Sequence, residues 1–168
     1  MLCDKHVVKM ILETCQLLST AHRVLDGHKN VREYSSLKTK KTCNKIFYDL
    51  DNIYMNINVY LPTHINHPSN VWTRQTSGNY RWLYDHLIGL LDEYTYRYQK
   101  THKCERLLEH LMFAPENIKL GPQTTVPLCM PEKYHDLYSI QSYRNYYNGE
   151  KLGFAKWTNR EKPKWIFK

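Results

Sequence analysis

This 168-residue chain lacks any long apolar run, and stretches such as Val7-Val8 and Leu90-Leu91 are short. Nothing approaches the roughly 20 residues that a bilayer-spanning helix needs, so no membrane partner is expected. The opening Met-Leu-Cys-Asp-Lys-His places acid, base and imidazole where a secretory signal would need an apolar core. An intracellular location is the expectation that follows. Its five cysteines, Cys3, Cys15, Cys43, Cys104 and Cys129, are odd in number and include no CxxC pair. Buried or inert reduced thiols are therefore expected rather than a disulfide framework. Internal repeats, heptad arrays and low-complexity tracts are lacking as well.

Acidic residues are few: 16 Asp and Glu face 24 Lys and Arg, for a formal net charge of +8 and a pI near 9.2. Such a balance biases association toward polyanions by long-range attraction. With 42% hydrophobic and 13% aromatic residues, the chain can bury enough surface to fold. Its length suits one domain spanning 1–168, expected to be monomeric.

From Asp4 to Leu25 the apolar positions Val7, Met10, Ile11, Cys15, Leu18, Ala21 and Leu25 recur at helical steps, and Gly27 is a plausible stop. Residues 29–45 are polar and rich in lysine, and read as an exposed basic insertion. Ile46 to Tyr60 suits a short helix or strand. Pro68 is well placed to begin a helix. The clearest helix runs from Ser77 to about Lys100, with Tyr80, Leu83, Tyr84, Leu87, Leu90 and Leu91 on its apolar face. Thr101 is a candidate cap for Glu105 to Phe113. The proline-rich stretch 115–131 suits an irregular connection. Ser139 to Tyr147 reads as helical, Asn148-Gly149 as a break, and 151–168 as an aromatic and basic tail. The expected class is all-α or nearly so: one compact helical domain with long irregular connections.

His6 and Glu13 lie seven residues apart, within about 20° of two full helical turns, so both leave one face of the first helix. Lys9 lies between them, and Gln16 and Thr20 extend the strip. A carboxylate can hold a cationic intermediate and an amine can act as nucleophile or charge clamp. The bland alternative is a solvated face with an i,i+4 pair of a few tenths of a kcal/mol. Two pairs at three-residue spacing, Cys3/His6 and His64/His67, match no finger signature, so no zinc site is expected. Arg74, Asn79, Tyr80 and Trp82, beside Trp72, are residue types that stack on and hydrogen-bond an extruded base, or that build a core. Lys156, Trp157, Arg160, Lys162, Lys164 and Trp165 combine phosphate-binding charge with flat rings, the better nucleic-acid surface.

Three stretches in this order resemble the pyrimidine-dimer DNA glycosylase family of endonuclease V-like repair enzymes. They are Asp4-Lys-His6 followed by Glu13, Trp82-Leu-Tyr84-Asp85-His-Leu87, and Lys162-Pro163-Lys-Trp165. The chain is also similar to an uncharacterised group of proteins from phages and large DNA viruses, which implies viral repair or genome maintenance in host cytoplasm or nucleus. The glycosylase resemblance implies an all-α fold, double-stranded and damaged DNA as partner, and no cofactor. It implies base excision by amine attack on the sugar C1′, with β-elimination from the resulting imine and Glu13 stabilising the charged sugar. The pattern departs at the family's α-amine nucleophile, which lies further upstream of the histidine than Met1 lies from His6. Leu12, Gln16 and Met10 stand where the family has two arginines and a second carboxylate. Lys9 and Met1 are then the candidate amines. A non-catalytic viral nucleic-acid-binding protein and an enzyme acting on nucleotides or modified bases are the alternatives.

Overall fold

The computed structural model describes residues 2–35 and 42–167. Met1, Lys168 and the 36–41 portion of the expected basic insertion lie outside them. Helix α1, Asp4–Asp26, buries Val7, Ile11, Cys15, Leu18 and Ala21 on one stripe. It ends at Gly27, whose N–H donates to the Arg23 carbonyl. An alanine Cβ at Gly27 would sit 2.4 Å from that oxygen, so the stop depends on a residue without one.

The all-α expectation is corrected by a two-stranded antiparallel sheet of β1, His28–Ser35, and β2, Thr42–Asp49. The fold is mixed, though helix still accounts for about 52% of it. Helices α2 (Ile53–Asn58) and α3 (Pro68–Thr73) follow, with Pro68 in the first turn of α3. The long helix α4, Ser77–Tyr98, is capped by Thr76, whose Oγ1 accepts from the Asn79 N–H, rather than by Ser77. The Glu105–Phe113 segment is capped by His102 instead of Thr101; it comprises a 3₁₀ turn, Lys103–Leu107, and one turn of helix, α5 (Leu108–Leu111). Helix α6, Ser139–Glu150, passes through Asn148-Gly149 without the expected break.

The main core lies between α1, α3 and α4, with Leu107, Leu111 and Ile118 closing it. A second cluster, Cys3, Tyr147 and Ile166 with Trp157 and Trp165 against it, fastens α6 and the C-terminal residues to the start of α1. All five cysteines are free: Cys3, Cys15 and Cys104 are buried, Cys129 is half-buried and Cys43 on β2 is exposed. No described helix is long and apolar enough to cross a membrane.

Two buried arginines join these parts. Arg23 uses all five guanidinium donors, to the Tyr48, Asn56, Val59 and Tyr60 carbonyls and Asn56 Oδ1. It thereby fixes the root of the hairpin and the C-terminal half of α2 to α1. Arg97, on α4, donates to Asp4 Oδ1 at 2.8 Å, Glu93 Oε1 at 2.7 Å and the Leu2 carbonyl at 2.9 Å. Arg160 closes on the same Glu93, and Thr158 donates to Asp4 through backbone and hydroxyl. Burial alone would raise both carboxyls; the Thr158 and arginine hydrogen bonds outweigh it and hold Asp4 and Glu93 below their ordinary values.

Candidate active site: a cleft beside the first helix

The polar strip of α1 meets a second wall made by residues 63–70. Thr20 creates the junction: its hydroxyl donates to the Gln16 carbonyl at 2.7 Å and accepts the Thr63 N–H at 3.2 Å. His64 follows with a φ of 46°, a left-handed conformation costly for a residue with a Cβ. Asn70, fully buried on α3, holds that turn by donating from Nδ2 to the Thr63 and His64 carbonyls at 2.7 and 3.1 Å. His67 caps α3 by accepting the Ser69 N–H on Nδ1, which leaves Nε2 to carry the proton in the neutral ring.

Between the two walls is a cleft of about 330 Å³ lined by Met10, Glu13, Gln16 and Leu17 on one side and Thr63, His64, His67, Ser69 and Asn70 on the other. This volume lies within the range of small-molecule sites. Asn70 Oδ1 is buried and has no hydrogen-bond partner, an orphaned acceptor in the wall of the cleft. Glu13 of this lining pairs with Lys9, whose Nζ is 3.1 Å from Oε1, the Lys9 and Glu13 side chains being 65% and 40% exposed. Among the described residues no group of three or more His, Cys, Asp or Glu side chains is arranged to hold a metal ion.

His6 lies away from the cleft, against the second cluster. Its Nδ1 is hydrogen bonded to the Tyr147 hydroxyl, and its ring meets Tyr147 and Phe154 edge-on at 5.2 and 5.6 Å. Burial lowers the His6 pKa first; Lys151 and Lys9 lower it further, and Glu13 opposes them. His6 therefore stands neutral beside the Lys9–Glu13 pair.

The residues expected to touch nucleic acid separate into three groups. Asn79 and Tyr80 are buried, which removes them from any docking surface. Asn79 donates to the Trp72 carbonyl at 2.8 Å and accepts the Thr124 N–H at 2.7 Å, and so pins the 115–131 connection. Tyr80 donates to the Leu111 carbonyl at 2.9 Å with His22 Nε2 at 2.8 Å from the same hydroxyl. Trp72 is buried edge-on against Trp82, so the expected aromatic pocket is filled core. Arg160, Trp157 and Trp165 form the second, structural group. Arg160 spends its guanidinium on Glu93 and lies 3.6 Å above the Tyr96 ring, and both tryptophans pack on the second cluster. The third group keeps accessible surface: Trp82, stacked on His86 at 5.3 Å, the half-buried Arg74, and the exposed Lys156, Lys162 and Lys164.

Sequence reading found Glu13, Lys9 and Gln16 but missed Asn70 and Ser69, and it weighed His64 and His67 only as a metal pair. Nothing local marks these four as cleft residues; tertiary contacts, the Thr20–Thr63 hydrogen bond and the packing of α3 on α1, bring their segment to the strip. No family model matches the chain, and no curated protein or solved structure matches it.

Proposed function

We propose that the protein is a DNA-binding base-excision enzyme, a glycosylase with lyase activity toward damaged or modified pyrimidines, and that the Glu13 cleft is its active site. The observation that carries this reading is a carboxylate, Glu13, in the wall of a concave cleft with a primary amine 3.1 Å from it, in a chain of net charge +8. In this reading Glu13 takes a proton from the Lys9 ammonium, and the freed amine attacks C1′ of the extruded nucleotide. The C1′–N bond to the base breaks with its electron pair leaving on the base, which is protonated; the sugar ring then opens, the C1′–O4′ pair and a proton going to O4′ as the amine nitrogen forms the C=N bond of the imine. Loss of a proton from C2′ of the imine then expels the 3′ phosphate. The Asn70 carbonyl oxygen and the His67 Nε2–H supply an acceptor and a donor for the edge of a base.

The experiment is incubation with ultraviolet-irradiated and abasic duplexes in the presence of borohydride. The wild type should nick both and form a trapped covalent adduct. Glu13→Gln should lower the single-turnover rate by about 100-fold or more while DNA affinity stays within a factor of about two. Lys9→Met should abolish the adduct. Absence of nicking and adduct in the wild type would overturn the reading. The exposure of the Lys9–Glu13 pair favours a second reading, a non-catalytic nucleic-acid-binding protein, for which neither substitution has an effect.

A further inference from the structure

The hairpin is a structural arm with no intramolecular reason for its surface. Both strands are eight residues long, the sheet has no third strand among the described residues, and every residue of β1 is exposed. An isolated two-stranded ribbon is marginal in water unless something packs on it. Only its root is fastened, where Arg23 holds the Tyr48 carbonyl at 2.7 Å.

The register places His28/Asp49, Asn30/Phe47, Arg32/Lys45 and Tyr34/Cys43 as opposed pairs on one face. Arg32 and Lys45 are thus like charges directly across from each other, an arrangement that weakens a ribbon. Two aromatic rings flank them: Arg32 lies 4.5 Å from the Phe47 ring and Lys45 Nζ 4.8 Å from the Tyr34 ring. Asp49 shares Arg32 at 2.7 Å and takes an Asn30 hydrogen bond, also at 2.7 Å. Lys45 has no acidic partner among the described residues. The opposite face adds Lys29 beside exposed Val31 and Ile46.

We infer that this ribbon is a duplex-DNA-binding arm that enters the major groove, with Lys29, Arg32 and Lys45 toward phosphates and Tyr34 and Phe47 toward base edges. Charge decides the partner. Residues 28–49 of the sequence hold six Lys or Arg against two Asp or Glu, a net +4 that is half the charge of the whole chain, with Lys38, Lys40 and Lys41 of these outside the described residues. The major groove, about 12 Å wide, admits a two-stranded ribbon, and its phosphates relieve the Arg32–Lys45 opposition. The arm shares its partner with the base-excision reading but not its site, so it stands whether or not the cleft cuts DNA.

The test is fluorescence anisotropy of a labelled undamaged 20-base-pair duplex across a salt series. Lys29→Gln with Lys45→Gln should reduce the slope of log affinity against log salt by about 1.8, or roughly 60-fold at 0.1 M salt relative to 1 M. Lys29→Arg with Lys45→Arg should restore both. Tyr34→Ser should weaken binding while leaving the slope unchanged. An unchanged slope in the double glutamine variant, with wild-type circular dichroism and melting, would overturn the inference. So would tighter binding to single strands than to duplex, or binding to phosphatidylserine vesicles in place of DNA.

Discussion

Arg97→Met isolates the contact that fixes the start of α1, and so the register of Lys9 and Glu13. The Arg97 side chain is completely inaccessible, whereas the Asp4 and Glu93 carboxylates are each 19% exposed. Removing one member of a buried ion pair costs about 3–5 kcal/mol, because the charge left behind is neither hydrated nor paired. Here both carboxylates retain a partner, Thr158 for Asp4 and Arg160 for Glu93, which places the expected loss near the lower end. Methionine fills most of the vacated volume, leaving the unpaired Leu2 carbonyl as the main additional cost, about 1 kcal/mol. A total of about 4 kcal/mol, with a urea slope of roughly 2.5 kcal/mol per molar, lowers the unfolding midpoint by about 1.6 M. Asp4→Asn should cost less in the Arg97→Met background than in the wild type, because the two share one network. Both carboxyls are depressed in the folded state, so their contribution is present above the ordinary values of 3.8 and 4.5 and is lost as pH falls through the lower folded values. The variant should show a shallower loss of stability with acid. A loss below about 1 kcal/mol, or equal costs for Asp4→Asn in both backgrounds, would refute the reasoning.

Two further predictions concern the core. Burial pushes His22 from 6.5 down to about 4, against the opposing pull of Asp26 and Phe113. The folded state therefore resists protonation, and stability present above pH 6.5 falls by about 3 kcal/mol as pH drops toward 4. His22→Gln should flatten that limb in a pH series of urea unfolding curves, and an unchanged limb would show that another group titrates there. Gly78→Ala would place a Cβ 2.4 Å from Gln123 N, 2.5 Å from Pro122 C and 2.8 Å from the Gly121 oxygen, all backbone atoms. It should cost about 2–3 kcal/mol in thermal unfolding, whereas Gly89→Ala, with nothing within 4 Å, should stabilise α4 by up to about 1 kcal/mol. Equal effects at the two glycines would contradict the packing of the 121–123 segment on α4.

The elements legible in the sequence are those whose pattern is local. The stripes of α1 and α4 recur at three and four residues because one face of each is buried along its whole length, and Pro68 marks α3 because it can occupy a first turn. The hairpin was hidden for the complementary reason. Alternation of apolar and polar residues arises when one face of a strand is buried, and β1 is exposed on both. Lys29, Asn30, Arg32 and Glu33 therefore read as a loop. Asn79 and Tyr80 failed differently: a polar group on a helix looks the same in sequence whether it awaits a ligand or is satisfied by Thr124 and Leu111.

Electrostatics divides the proposed work between two parts of the molecule. In the strip of α1, Lys9 and Glu13 cancel, and burial together with Lys151 and Lys9 keeps His6 neutral, so the cleft mouth has little net attraction for a polyanion. A site that must hold a positive sugar intermediate gains from that balance, because excess fixed positive charge there would oppose the intermediate. Attraction for phosphates must then come from outside the cleft, and the exposed charges that supply it in this reading include Lys156, Lys162 and Lys164 and the ribbon's Lys29, Arg32 and Lys45. Charge reversal at those peripheral lysines should therefore weaken binding without altering the rate of a bound complex. Substitution of Glu13 should do the opposite.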